Sequence, residues 1–221
     1  MEPRAIAILG ATGSIGTTTL QVVRAHPTLL RVAGLAAHKR WRDLIGPVRE
    51  FKVGAIALAD PQAAAAARAS GEFPAGTRIL EGEAGLSEIA CLPEVSMVVS
   101  AVVGTAGLVP TLAALEARKD VALASKELLV LAGKFVTATA RRTGARLLPV
   151  DSEHNAIFQL LRDKPAGDID RLVLTASGGA FRDTPPAQLA AVTVAQALKH
   201  PNWDMGPKVT IDSATMANKG L

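Results

Sequence analysis

The sequence has one cysteine and no tyrosine, and aromatic residues make up only 3% of its 221 positions. A single Cys91 excludes an internal disulfide and a cysteine-ligated metal cluster. With so few aromatic rings, the core must be built from Ala, Val, Leu and Ile, which suits helices packed on a parallel sheet. No apolar run reaches the ~20 residues that a membrane span requires. No Lys/Arg block carries interleaved aromatics, so the net charge of +4 suits an anionic small molecule as well as it suits nucleic acid. The expectation is a small-molecule partner, with neither nucleic acid nor membrane. Met1 leads at once into a strand pattern with no signal or transit peptide, which predicts a cytoplasmic location.

What is present is ordinary globular composition, 49% hydrophobic and 20% charged. The length fits one large domain, or one of about 150 residues plus part of another. Apolar runs at Ala5–Leu9, Arg31–Ala37, Val53–Ala59, Val95–Val103, Val121–Ala124 and Ala145–Val150 read as buried strands. Helical stretches such as Ser14–Ala25, Pro61–Ala69 and Gly107–Arg118 lie between them. This alternation predicts βαβ units and a Rossmann-like, doubly wound parallel sheet over residues 1–149. After Pro149 the character changes. Asp151–Leu161 reads as a turn and a helix, Arg171–Thr175 and Val209–Ile211 as strands, and Pro201–Pro207 as a loop. Residues 150–221 therefore read as the first part of an incomplete α+β catalytic domain.

The first strand runs into Gly10-Ala11-Thr12-Gly13-Ser14-Ile15-Gly16, a G-x-x-G-x-x-G variant of the dinucleotide fingerprint. Glycines permit a tight turn and close backbone approach, and free N–H groups at the following helix start attract pyrophosphate. A plain turn is the alternative, but the strand before and the helix after favour a nucleotide site. At the end of the second strand, where an NAD enzyme usually has an acid, stands His38-Lys39-Arg40. A basic cluster there accepts a 2′-phosphate, so the cofactor expected is NADP(H). The bland reading is a solvated basic turn.

The segment Val150-Asp151-Ser152-Glu153-His154-Asn155 places two carboxylates two positions apart. On a strand-end bend both can reach one hard cation. Taken alone, the pair is as readily a helix start, where acids meet the positive end of the dipole. Three later segments add Ser, Asn and Lys side chains of the kind a phosphate pocket uses. They are Thr175-Ala176-Ser177-Gly178-Gly179-Ala180-Phe181-Arg182, then Lys199-His200-Pro201-Asn202-Trp203-Asp204-Met205-Gly206-Pro207-Lys208, and Asp212-Ser213-Ala214-Thr215-Met216-Ala217-Asn218-Lys219-Gly220-Leu221. The Trp203 loop could close as a lid.

From the Gly10–Gly16 turn to the last residue, the chain resembles 1-deoxy-D-xylulose 5-phosphate reductoisomerases of non-mevalonate isoprenoid precursor synthesis. The segments Val103-Gly104-Thr105-Ala106-Gly107-Leu108 and Ala124-Ser125-Lys126-Glu127 share in the likeness, and the Leu148–Gln159 block is its most specific part. The resemblance implies NADPH, Mg²⁺ or Mn²⁺, a sugar phosphate substrate and a homodimer. It implies a carbon-skeleton rearrangement followed by hydride transfer, giving 2-C-methyl-D-erythritol 4-phosphate. By it, Gly10, Thr12, Gly13, Ser14, Ile15 and Gly16 face the cofactor, with Lys39 and Arg40 near its 2′-phosphate and Ser125 and Glu127 beside it. Asp151 and Glu153 bind the metal. Lys126 and Ser152 contact oxygens of the reacting carbons, Ser177, Ser213, Asn218 and Lys219 hold the phosphate, and His200 and Trp203 belong to the lid. Bland readings exist for several of these: Ser177 and Ser213 as turn residues, His200 as a solvated helix-end histidine, Trp203 as loop packing.

Two positions depart from the family pattern: Ser125 stands where Asn is usual, and His38 where glycine is common. The resemblance also puts a third metal-binding glutamate directly after Leu221, so the 221-residue chain is expected to be inactive or nearly so. Two other classes fit parts of the sequence. A semialdehyde-dehydrogenase-like oxidoreductase shares the glycine turn but needs a nucleophilic cysteine at a helix start, a setting that Ala90-Cys91-Leu92-Pro93 does not provide. An NADP-binding module without catalysis would share the first 150 residues and have no use for the acids near residue 151.

Overall fold

Seven short strands form one all-parallel sheet because a helix after each of the first six carries the chain back to the end of the sheet where the next strand starts. The computed structural model describes residues 2–220, and Leu221, the end of the Asn-Lys-Gly-Leu segment, lies outside them. In chain order the first unit contains β1 (Arg4–Leu9), α1 (Ser14–Ala25), β2 (Leu30–Ala37), α2 (Arg42–Phe51), β3 (Ala55–Leu58), α3 (Pro61–Ser70), β4 (Arg78–Glu81), α4 (Gly82–Ala90), β5 (Met97–Ser100), α5 (Leu108–Glu116), β6 (Asp120–Leu123), α6 (Glu127–Thr143) and β7 (Leu147–Pro149). The strand order is β4-β3-β2-β1-β5-β6-β7. The chain winds outward from β1 to one edge, returns to β5 beside β1, and winds outward again. This is the doubly wound Rossmann-like sheet that the strand–helix alternation predicts.

Strand alternation sorts side chains to two faces. Ala5, Ala7 and Leu9 of β1 join Leu86, Ile89, Ala114, Leu115, Leu128 and Val136 under α4, α5 and α6. Ile6 and Ile8 join Leu20, Val23, Leu44, Val48 and Ala64 under α1, α2 and α3. Both faces of the central strands are dry, which is why those strands read as unbroken apolar runs.

Three sequence expectations need correction. β4 went unrecognised: it is a four-residue edge strand, Arg-Ile-Leu-Glu, with both ends exposed, so it has neither an apolar run nor clear alternation. Arg171–Thr175 is not a strand; no described strand pairs with it, and Leu172 and Val173 are 60% and 68% exposed. An apolar run becomes a strand only when an edge accepts its backbone groups. Val209–Ile211 lies inside a helix, because Gly206 and Pro207 start a turn at Pro207 and Thr210 N–H bonds the Gly206 carbonyl. Proline at the first helical position is pre-set for that geometry.

The chain divides into two compact units between Asp151 and Ser152. The second contains α7 (Ser152–Leu161), α8 (Val194–Ala197), α9 (Pro207–Ala214) and α10 (Ala217–Gly220), with 3₁₀ turns at Ala166–Asp168 and Pro186–Ala191.

Candidate functional site

In the first unit, a cleft of about 610 Å³ opens at the C-terminal ends of the strands, and Gly10, Thr12, Gly13, Lys39, Arg40 and Val102 are among its walls. It lies where β1 and β5 diverge, the topological switch point at which open α/β sheets bind ligands. Gly10 has φ +86°, and a Cβ there would sit 2.4 Å from the Ala101 carbonyl oxygen. The turn can leave β1 only if that position has no side chain. Gly13 then precedes α1, whose first N–H groups have no intrahelical partner and point toward the turn. Ser14 and Ile15 are exposed on that first turn, beside the cleft wall rather than within it.

His38, Lys39 and Arg40 follow β2 and line the same cleft. The Arg40 guanidinium reaches back to donate to the Thr12 carbonyl, so the basic turn is tied directly to the glycine turn. Lys39 Nζ lies 3.5 Å from Asp60 Oδ2. Asp60 caps α3 by accepting the Ala63 N–H at 2.8 Å. That bond first, and then the Lys39 charge, hold its carboxyl below the usual range. Glu83 and Ala101 also line the cleft, and sequence reasoning missed both. Glu83 was hidden because it follows the unrecognised β4, whereas the end of β5 was in view as Val103 and Gly104.

The turn after β6 is latched to the cleft, since the Ser125 hydroxyl donates to the Val102 carbonyl. Glu127 opens α6. Lys126 Nζ lies 2.9 Å from Asp151 Oδ2, with both side chains less than a fifth exposed. Backbone pairing makes this contact: Val150 N–H bonds the Leu123 carbonyl, which sets the ends of β6 and β7 side by side.

In the second unit, Glu153 Oε2 accepts the Ser152 hydroxyl at 2.7 Å and the Lys219 ammonium at 2.5 Å. Asn218 precedes Lys219 on α10. Ser177 Oγ lies 2.9 Å from His200 Nε2. His200 Nδ1 accepts the backbone N–H groups of Asn202 at 3.2 Å and Trp203 at 3.0 Å. A nitrogen that accepts two N–H groups carries no proton, so the neutral ring holds its proton on Nε2 and donates it to Ser177. Ser177 is thereby an oriented hydroxyl, not a base-activated nucleophile. Trp203 itself is 65% exposed. Gly179 has φ +67°, and a Cβ there would come within 2.2 Å of the Ser213 carbonyl oxygen, so the Gly-Gly turn packs directly on α9.

Cys91 caps the C-terminal end of α4, and burial pushes its thiol up against the opposing charge of Lys119. An activated thiolate needs the opposite setting. Among the described residues, no cluster of three or more His, Cys, Asp or Glu side chains forms a ready metal cage.

Profiles for two parts of one family match this chain: 1-deoxy-D-xylulose 5-phosphate reductoisomerase over residues 6–133, and its C-terminal domain over residues 147–221. The reductoisomerase of Thermosynechococcus vestitus is 49% identical over 99% of this chain and 53% of its own length. That of Geobacillus kaustophilus is 53% identical over 98% of this chain and 56% of its own. A crystal structure of DOX-P reductoisomerase in complex with NADPH, fosmidomycin and magnesium superposes with a TM-score of 0.88 at 44% identity, covering 98% of this chain and 56% of that one. The Zymomonas mobilis enzyme in complex with NADPH gives 0.86 at 38% identity, covering 99% and 56%. The chain spans about half the length of the curated relatives it matches. It belongs to the 1-deoxy-D-xylulose 5-phosphate reductoisomerase family.

Proposed function

We propose that the protein to which this chain belongs converts 1-deoxy-D-xylulose 5-phosphate to 2-C-methyl-D-erythritol 4-phosphate with NADPH and a divalent cation. The observation that carries the reading is the meeting of a glycine turn and a basic turn in one cleft, joined by Arg40 on the Thr12 carbonyl. A pyrophosphate suits the first N–H groups of α1, and a 2′-phosphate suits Lys39 and Arg40, where an acid would repel it. NADPH supplies the hydride, and Mg²⁺ or Mn²⁺ supplies Lewis acidity toward neighbouring oxygens of the sugar phosphate.

The carboxylates fit a hard cation. Asp151 and Glu153 offer oxygen donors, and each already holds an ammonium in its own unit, Lys126 and Lys219 respectively. A magnesium ion usually keeps several waters and takes one or two carboxylates, so two fit its habits. Lys126 and the Ser152 hydroxyl serve the oxygens on the reacting carbons. Ser177, Ser213, Asn218 and Lys219 serve the phosphate; the Ser177 proton is available for it because His200 supplies the serine oxygen with a donor. Trp203, exposed beside His200, excludes water when the loop closes. Binding the phosphate away from the reacting carbons provides orientation. The same reading includes a cytoplasmic homodimer; no described helix is long and apolar enough to cross a membrane.

Fluorescence titration tests the cofactor assignment. NADPH should bind more tightly than NADH, and Lys39→Ala should narrow the gap. Equal affinities in the unmodified chain would overturn it.

A further inference from the structure

We infer that Lys219 is shared between Glu153 and the substrate's phosphate, so that cation binding at Glu153 and anion binding at the phosphate site reinforce one another. The inference rests on the metal and phosphate roles proposed above and adds a link between them that neither role contains. Lys219 Nζ lies 2.5 Å from Glu153 Oε2, with side chains 11% and 21% exposed. The same oxygen accepts the Ser152 hydroxyl at 2.7 Å. A hard cation binding Glu153 must compete for an oxygen that already receives two donors, one of them charged. Two positive charges on one partly buried oxygen repel strongly, because little solvent screens them.

Lys219 has somewhere else to go. Its ammonium is a compact charge on a flexible four-carbon stem, and a phosphate is the other anion proposed for this unit. Without the anion, the lysine sits on Glu153 and opposes the cation. Binding the anion draws the lysine off the carboxylate and exposes the metal-binding oxygen. Binding the cation first pushes the lysine toward the phosphate site. Linkage makes the two effects equal in size.

Mn²⁺ titration of the whole chain, read as the loss of the free-ion EPR signal, tests this with methylphosphonate as the anion. Saturating methylphosphonate should tighten Mn²⁺ binding about fivefold, near the lower end of ordinary site-to-site coupling, and Mn²⁺ should tighten methylphosphonate binding by the same factor. Lys219→Met should tighten Mn²⁺ by a similar factor with no anion present and should abolish the coupling. Lys219→Gln keeps a hydrogen-bond donor on Glu153 without the charge and should behave alike; it serves if the methionine variant does not fold. If Glu153→Gln weakens Mn²⁺ binding while both lysine variants leave it unchanged or weaker, the exchange is wrong and the metal assignment stands. If Glu153→Gln leaves Mn²⁺ binding as in the unmodified chain, the metal assignment falls and the exchange falls with it.

Discussion

Asp120 shows how much one side chain can hold. It opens β6, accepts Arg4 Nη2 from β1 at 2.6 Å, and accepts both the backbone N–H and the guanidinium of Arg146, which precedes β7. The three strands are thereby clamped at the end of the sheet opposite the cleft. Burial raises the Asp120 pKa, but the bonds from Arg146 and Arg4 outweigh burial and hold it down at about 2. A carboxylate depressed in the folded state stabilises fully above its unfolded value, roughly 3.9, and that contribution is lost as pH falls toward the folded value. Asp120→Asn should cost about 1–3 kcal/mol at neutral pH and should flatten the acid limb of stability between about pH 4 and 2, measured by urea unfolding across that range. An unchanged acid limb would show that the clamp carries no net stability. His200 gives a second residue-scale prediction. Nitrogen NMR of the ring should find Nδ1 unprotonated and Nε2 protonated, and phosphonate binding should weaken in His200→Phe more than in Trp203→Phe. The opposite tautomer would remove the argument that His200 orients Ser177. The serine and the histidine were both legible in the sequence. Their pairing across 23 positions was not, because no local pattern encodes which loop folds onto which.

At the scale of elements, the glycine turn is the part most sensitive to a single methyl group. Gly10→Ala places a Cβ against the Ala101 carbonyl in a left-handed conformation, so the turn must shift away from β5. NADPH binding should fall by at least tenfold while circular dichroism still reports a folded sheet. Retained affinity would mean that the turn does not face the cofactor. Helices and strands were unequally readable. α1 was legible to both ends because its helical spacing begins directly after Gly13 and holds to Ala25. The central strands were legible as apolar runs because both faces are buried, although β5 was expected over Val95–Val103 and forms only at Met97–Ser100. It stops there because the facing residues of β1, Ile6 to Leu9, offer four partners. The unrecognised β4 and the strand expected at Arg171–Thr175 share one reason: strand formation belongs to the pair, and a single sequence shows only one member; Val209–Ile211 was taken instead into the helix that starts at Pro207.

For the whole molecule, every buried apolar residue among the described ones falls between Ala5 and Ala145. The first unit therefore contains a core of its own, and residues 2–151 expressed alone should melt cooperatively and keep the preference for NADPH over NADH. A fragment without a cooperative transition would show that the second unit is needed to fold the first. The sequence by itself determined the doubly wound class, the glycine turn and the residue types of the second unit, because strand–helix periodicity, turn glycines and charge are local properties. Only the tertiary structure decided what meets what. It tied Arg40 to Thr12, Ser125 to Val102, Lys126 to Asp151 and Lys219 to Glu153. Each of these contacts joins separate segments of chain, and only strand order and helix packing set their distances.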